Sequence, residues 1–161
     1  MNLLEYAIKM EAEGAQYYQK QAEINKGNSL YTVCTLLSKE ELRHEQILKN
    51  KAGSLAYSLD KSTIKDDVKT LFDEMDDFKN ELKKIPSQLD FYRFALENEQ
   101  KSIDLYTEFA QNAANEDEKK LFEYLVEQER DHYAIVDEFV KILTHAEQWV
   151  ESAEFGVRED Y

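Results

Sequence analysis

Glu41-Leu42-Arg43-His44 returns 88 residues later as Glu129-Arg130-Asp131-His132, and these two stretches decide how the chain folds. They use two of its three histidines. The same offset relates Glu11 to Glu99 and Tyr18 to Tyr106, and Glu11 precedes Glu41 by 30 residues just as Glu99 precedes Glu129. With 34 acidic residues in 161, four given positions are all acidic by chance at roughly 0.2 to the fourth power, about one in 600. The chain is a twofold internal repeat, and its sharpest echo falls on residues able to bind metal.

Around each motif the apolar residues recur at three- and four-residue steps, the period of a helix buried along one face. One Pro and four Gly in 161 residues leave few helix breakers. A first helix is expected over about Leu3 to Ile24, with Leu4, Ala7, Glu11, Gly14, Tyr18 and Ala22 on one stripe. Gly27 suits its end, and Asn28 or Ser29 suits the next start. The second helix carries Leu30, Cys34, Leu37, Glu41, His44 and Leu48, and Gly53 closes it. A matching helix after Pro86, with Ser87 as expected N-cap, carries Tyr92, Ala95, Glu99, Ser102, Tyr106 and Ala110. Asn115 with Glu118 resembles a capping box for the last long helix, which carries Phe122, Leu125, Glu129, His132, Val136 and Val140.

The expected architecture is all-α: two repeated helical hairpins, about 3–52 and 87–145, forming one domain over 1–145. Between them, about Ser62 to Lys84, lies an amphipathic segment with Ile64, Val68, Leu71, Phe72, Met75, Phe78 and Leu82 on its apolar stripe. A connection this long lets the second and third bundle helices run parallel. The segment either packs on its own bundle or forms a contact with a second copy, and a homo-oligomer, with a dimer favoured, is expected. Residues 146–161 form an acidic tail holding Trp149, Phe155 and Tyr161, which docks on the protein's own surface or on a partner.

A net charge of −14 argues against nucleic acid and anionic membrane partners. No uncharged run approaches a membrane span. Cys34 is the only cysteine, which rules out an internal disulfide or a thiolate metal site and suits a reducing cytoplasm. The start, Met1-Asn2-Leu3-Leu4-Glu5-Tyr6, lacks the pattern of a secretion signal, so a cytoplasmic location is expected.

Glu and His three residues apart lie about 60° apart around a helix and about 4.5 Å along it, so both side chains reach one ion beside the helix. Glu11, Glu41, Glu99 and Glu129 occupy the stripes that should face the core, where an uncompensated carboxylate is costly. No Lys or Arg shares those stripes. Two divalent cations would balance the four carboxylates, with neutral His44 and His132 completing the coordination. Oxygen ligands with one imidazole per ion suit iron, with manganese or a mixed iron–manganese pair in reserve, better than calcium or structural zinc. His145 points elsewhere on the wheel; Glu13, Glu40, Glu45, Glu97 and Glu127 fall on polar faces. Tyr18 and Tyr106 follow a ligand by seven residues on the same stripe. They serve either core packing or hydrogen bonding to the ligand carboxylates as oxidisable phenols. Gly14 and Ser102 are small and leave room for a small oxidant.

Ala7-x-x-x-Glu11-x-x-Gly14-x-x-x-Tyr18, Glu41-x-x-His44, Ala95-x-x-x-Glu99-x-x-Ser102-x-x-x-Tyr106 and Glu129-x-x-His132 resemble the rubrerythrin branch of the ferritin-like superfamily. The resemblance covers about residues 3–145 apart from the connection. It implies a ferritin-like four-helix bundle with a di-iron centre of four glutamates and two histidines. It also implies a redox role in oxidative stress, reducing hydrogen peroxide or reacting ferrous iron with dioxygen. Two departures stand out. Rubrerythrins proper carry an iron–thiolate domain with paired cysteines, whose absence here implies an external electron donor such as a rubredoxin-like protein. They also carry an extra Glu one turn after the third-helix ligand, where this chain has Ser102. The expected function is therefore a di-iron oxidoreductase acting on peroxide or dioxygen. The alternatives are a ferroxidase or iron-storage protein, an oxygenase with an organic substrate, and a metal-free helical scaffold.

Overall fold

The Asn2 side chain accepts the Glu5 backbone N–H at 2.8 Å, and the Glu5 carboxylate accepts the Asn2 N–H at 3.3 Å. This reciprocal cap fixes the start of α1, Leu3–Ile24. The computed structural model describes residues 2–74 and 85–159, of which 146–159 are described as backbone. Within them follow α2 (Leu30–Ala52), α3 (Ile64–Glu74), a 3₁₀ turn at Pro86–Gln88, α4 (Leu89–Gln111) and α5 (Glu116–Glu159). Among the described residues there is no strand, and no helix is long and apolar enough to cross a membrane. The chain divides into two units, Met1–Ile64 and Lys65–Tyr161, and each holds one helical hairpin.

In the first unit the reversal between α1 and α2 turns on Gly27, whose φ of +100° lies in the region that favours glycine. The Asn28 side chain accepts the Leu30 N–H at 2.9 Å, so Asn28 starts α2, while Ser29 makes no side-chain cap. The helices pair in antiparallel register. Buried Ser38 donates its hydroxyl to the Ala15 carbonyl at 2.8 Å, and further along His44 meets Glu11. Alanines at 7, 15 and 22 keep the α1 face shallow, so Val33, Cys34, Leu37 and Leu48 pack fully buried.

Aromatic rings lock the second hairpin. Phe109 meets Phe122 edge-on at 5.2 Å, Tyr106 lies nearly parallel to Phe122 at 6.2 Å, and Tyr92 meets Phe139 edge-on at 5.4 Å. Each such pair adds about 0.5–1.5 kcal/mol beyond the apolar area it buries. The sequence of contacts fixes α4 antiparallel to α5. Phe139 also receives Phe72 of α3 at 6.0 Å, and Val68 is buried, so the described part of the connecting segment packs on the last helix of its own unit.

Several expectations meet a different local solution. Ser87 falls inside the 3₁₀ turn, and Gln88 occupies the N-cap position of α4 without a side-chain cap. Asn115 does cap α5, accepting the Glu118 N–H at 2.9 Å, but the Glu118 carboxylate reaches back one residue further, to the Ala114 N–H. The helical backbone of α5 runs on through residues 146–159, most of the stretch read as a tail. Met75, Phe78 and Leu82 of the expected crossover stripe lie outside the described residues, as does Tyr161.

Candidate metal centre

Glu11 on α1 and Glu41 with His44 on α2 form a triplet in the first unit. Each offers one ligand atom, and these lie within 4.8 Å of one another. Nδ1 of His44 is 3.5 Å from Oε2 of Glu11. The second unit repeats the arrangement with Glu99 on α4 and Glu129 with His132 on α5, again within 4.8 Å. Nδ1 of His132 is 3.4 Å from Oε2 of Glu129 and 3.8 Å from Oε1 of Glu99. All six side chains are at most 5% exposed. The ligand stripes therefore do turn inward, as the periodicity predicts.

These spacings fit an ion. Two atoms bonded to one metal at about 2.1 Å lie up to about 4.2 Å apart, further than hydrogen-bonded partners and close to what each triplet shows. Each triplet supplies two carboxylates and one imidazole, a charge of −2 when the histidine is neutral, matched to one divalent cation. Burial of both carboxylates without such a cation would cost several kcal/mol per charge.

Gly14 borders the first triplet. A β-carbon there would sit 3.4 Å from Oε2 of Glu41, in ordinary contact, so the missing side chain leaves one methyl group's width beside that carboxylate. At the repeated position Ser102 turns its hydroxyl back to the Asn98 carbonyl at 3.1 Å, within its own helix. Tyr18 and Tyr106 are buried, as the stripe predicts. The ring of Tyr18 meets Tyr17 edge-on at 6.2 Å, and Tyr106 stands in the aromatic cluster described above. Burial raises the Tyr17 phenol to about 12. Burial also pushes the Asp131 carboxyl upward, against the opposing pull of Lys65 and His132.

Residues 2–140 match the family model for rubrerythrin. This chain belongs to the rubrerythrin family. The all-α, ferritin-like class expected from the repeat follows directly, and the family brings with it di-iron chemistry of the oxidoreductase kind. Nothing matches among curated proteins or solved structures.

Sequence reasoning placed His145, Glu13, Glu97 and Glu127 in solvent, and all four are exposed. It misplaced Glu40. That side chain is half-buried, accepts Nη2 of Arg43 at 2.8 Å, and brings the same oxygen, Oε2, to 3.9 Å from Nε2 of His44. Its four-residue step to His44 was the available signal, since residues so spaced are neighbours on a helix.

Proposed function

We propose that this is a di-iron protein whose metal ligands are the four glutamates and two histidines of the two triplets. It holds two iron ions and reduces hydrogen peroxide or dioxygen with electrons from an external donor. The observation that carries this reading is the duplication itself: the same buried Glu, Glu and His set at matching positions of both hairpins, in a chain of the rubrerythrin family. A pair of ferrous ions held there would supply the two electrons that, with two protons, convert one peroxide to two waters.

The protein's own residues perform the remaining tasks. Glu11, Glu41, Glu99 and Glu129 neutralise and space the ions, and His44 and His132 present Nδ1 as neutral donors. The absence of a side chain at Gly14 leaves room for a two-oxygen substrate beside Glu41. The phenols of Tyr18 and Tyr106 lean along their helices toward the ligand layer and assist proton delivery or hydrogen-bond the ligand carboxylates. Cys34, the single cysteine of these 161 residues, cannot by itself hold an iron–thiolate electron carrier, and the proposed donor is a rubredoxin-like protein.

Ser102 favours a second reading. It stands where rubrerythrins carry a further glutamate, and its hydroxyl is committed to its own helix. A centre without that ligand suits ferroxidase or iron-binding work, in which ferric iron is the product. Anaerobic loading with ferrous iron, a count of metal per chain, and separate stopped-flow mixing with peroxide and oxygen decide between the two. Two irons per chain, oxidised faster by peroxide and re-reduced by an added donor, support the reductase. Accumulation of many irons per assembly supports storage. Fewer than two irons per chain contradicts both.

A further inference from the structure

Helix α1 carries a second apolar stripe, and this one lies at the surface. Leu3, Tyr6, Met10, Tyr17 and Ile24 stand about 120° around the helix from the buried face marked by Ala7, Ala15 and Tyr18. Leu3, Tyr6 and Ile24 are 62%, 51% and 69% exposed, and Met10 and Tyr17 are half-buried. Single exposed apolar side chains are ordinary on a protein surface. These five are not scattered. With Glu13 and Lys20 they occupy every place of an alternating three- and four-residue step from 3 to 24, the spacing by which one helix packs along another. On a chain of net charge −14, the two polar places hold one acid and one base. Glu13 meets Lys9 at 3.8 Å, and Lys20 enters no ion pair among the described residues.

We infer that this stripe is the contact between two copies of the chain, with their α1 helices antiparallel across a two-fold axis. The inference stands apart from the metal reading and assigns a surface that the proposed function does not use.

Charge chooses both the occupant and the direction. In a two-fold contact the same patch meets itself, so each residue must find a suitable counterpart elsewhere on the same stripe. Parallel helices in register would set Glu13 against Glu13 and Lys20 against Lys20, which repel. Antiparallel helices bring unlike places together. Tyr6 then faces Ile24 of the second copy, Met10 lies along the aliphatic stem of Lys20, and the Tyr17 phenol faces the Glu13 carboxylate. In this register the Lys20 and Glu13 of opposite copies are three residues apart along the axis, about 4.5 Å, within reach of an ion pair. Both polar places are thereby matched twice, and the apolar places at the two ends of the helix cover each other. Polar residues at such positions fix register and direction while the apolar ones supply the affinity.

The test is sedimentation equilibrium of the full chain from micromolar concentration upward. The wild type is expected to be a dimer. Ile24→Glu should weaken association about 100-fold, because the loss is counted once in each copy. Glu13→Lys and Lys20→Glu should each weaken it about tenfold by facing like charges, and the two together should recover the wild-type association. With Tyr6→Cys and Ile24→Cys in one chain, mild oxidation should link residue 6 of one copy to residue 24 of the other, as read by peptide mass spectrometry. Circular dichroism and thermal melts establish that the variants fold. A monomeric wild type overturns the inference. So does a dimer that withstands Ile24→Glu and both single charge reversals, a double reversal no better than the singles, or crosslinks joining 6 to 6.

Discussion

Nδ1 of His132 lies 3.4 Å from Oε2 of Glu129, one turn earlier on α5. The two groups are three residues apart, the spacing at which side chains share a helix face, and both are buried. Glu99 arrives from α4 to complete the set. Each unit thus brings two carboxylates and one imidazole together from a single helical hairpin. From this follows a first prediction: Glu41→Ala and Glu129→Ala each abolish binding of a metal pair. Elemental analysis after anaerobic ferrous loading and desalting checks it, and retention of two tightly held ions in either variant would remove that residue from the centre.

Metal and fold should be coupled. Free ferrous ion at 100 times its Kd adds about 2.7 kcal/mol to stability, equivalent to roughly 5–11 °C in Tm for a domain of this size. Chelator removal of the ions should lower Tm by that amount. In the metal-free protein the order reverses: Glu41→Gln removes a buried charge and should stabilise by about 1–3 kcal/mol. Thermal melts with and without metal read both signs.

Gly14 separates stability from reactivity. An alanine methyl would rest in ordinary contact with Glu41, and alanine is favoured over glycine inside a helix by about 0.5–1 kcal/mol. Gly14→Ala should therefore melt higher while reacting more slowly with peroxide, because the methyl fills the space beside the carboxylate. Denaturant unfolding and stopped-flow rates on the same sample test the pair of outcomes.

Ser102→Glu should restore the ligand that the family carries one turn after Glu99. The expected result is a faster reaction with peroxide at an unchanged two irons per chain. Equal peroxide rates in the two proteins would argue for the ferroxidase reading.

The Tyr17 phenol, raised by burial from 10.0 to about 12, gives a pH dependence whose sign is fixed. Between pH 10 and 12 the unfolded chain releases this proton and the folded chain retains it. Stability is therefore fully present below pH 10 and falls as pH rises through that window. Tyr17→Phe should make the alkaline loss shallower, as read by unfolding free energy at stepped pH.

Much of this was legible in the residues because periodicity and burial are the same physical fact. Glu11, Glu41, Glu99 and Glu129 share stripes with Ala7, Leu37, Ala95 and Leu125, and all eight are buried. The limits of the first helix were equally plain: α1 spans Leu3–Ile24 as read, with Gly27 in the turn that follows it. Ser87 misled because a cap depends on backbone dihedrals, and the chain after Pro86 first makes a 3₁₀ turn. The helix through residues 146–159 was hidden by acidic composition, which suits a solvated helix as well as a tail. Glu40 was hidden because its four-residue step to His44 is a weak signal in a chain rich in acidic residues, and it stands out only once Arg43 and His44 are placed around it.

The most direct test of the central claim is the number of ferrous ions held per chain at equilibrium under anaerobic dialysis, with their Mössbauer parameters. The duplicated triplets predict two, both high-spin with oxygen and nitrogen ligands, and none tightly held once Glu11, Glu41, Glu99 and Glu129 are all glutamine. Zero or one ion in the wild type, or two retained in the fourfold variant, would contradict the account.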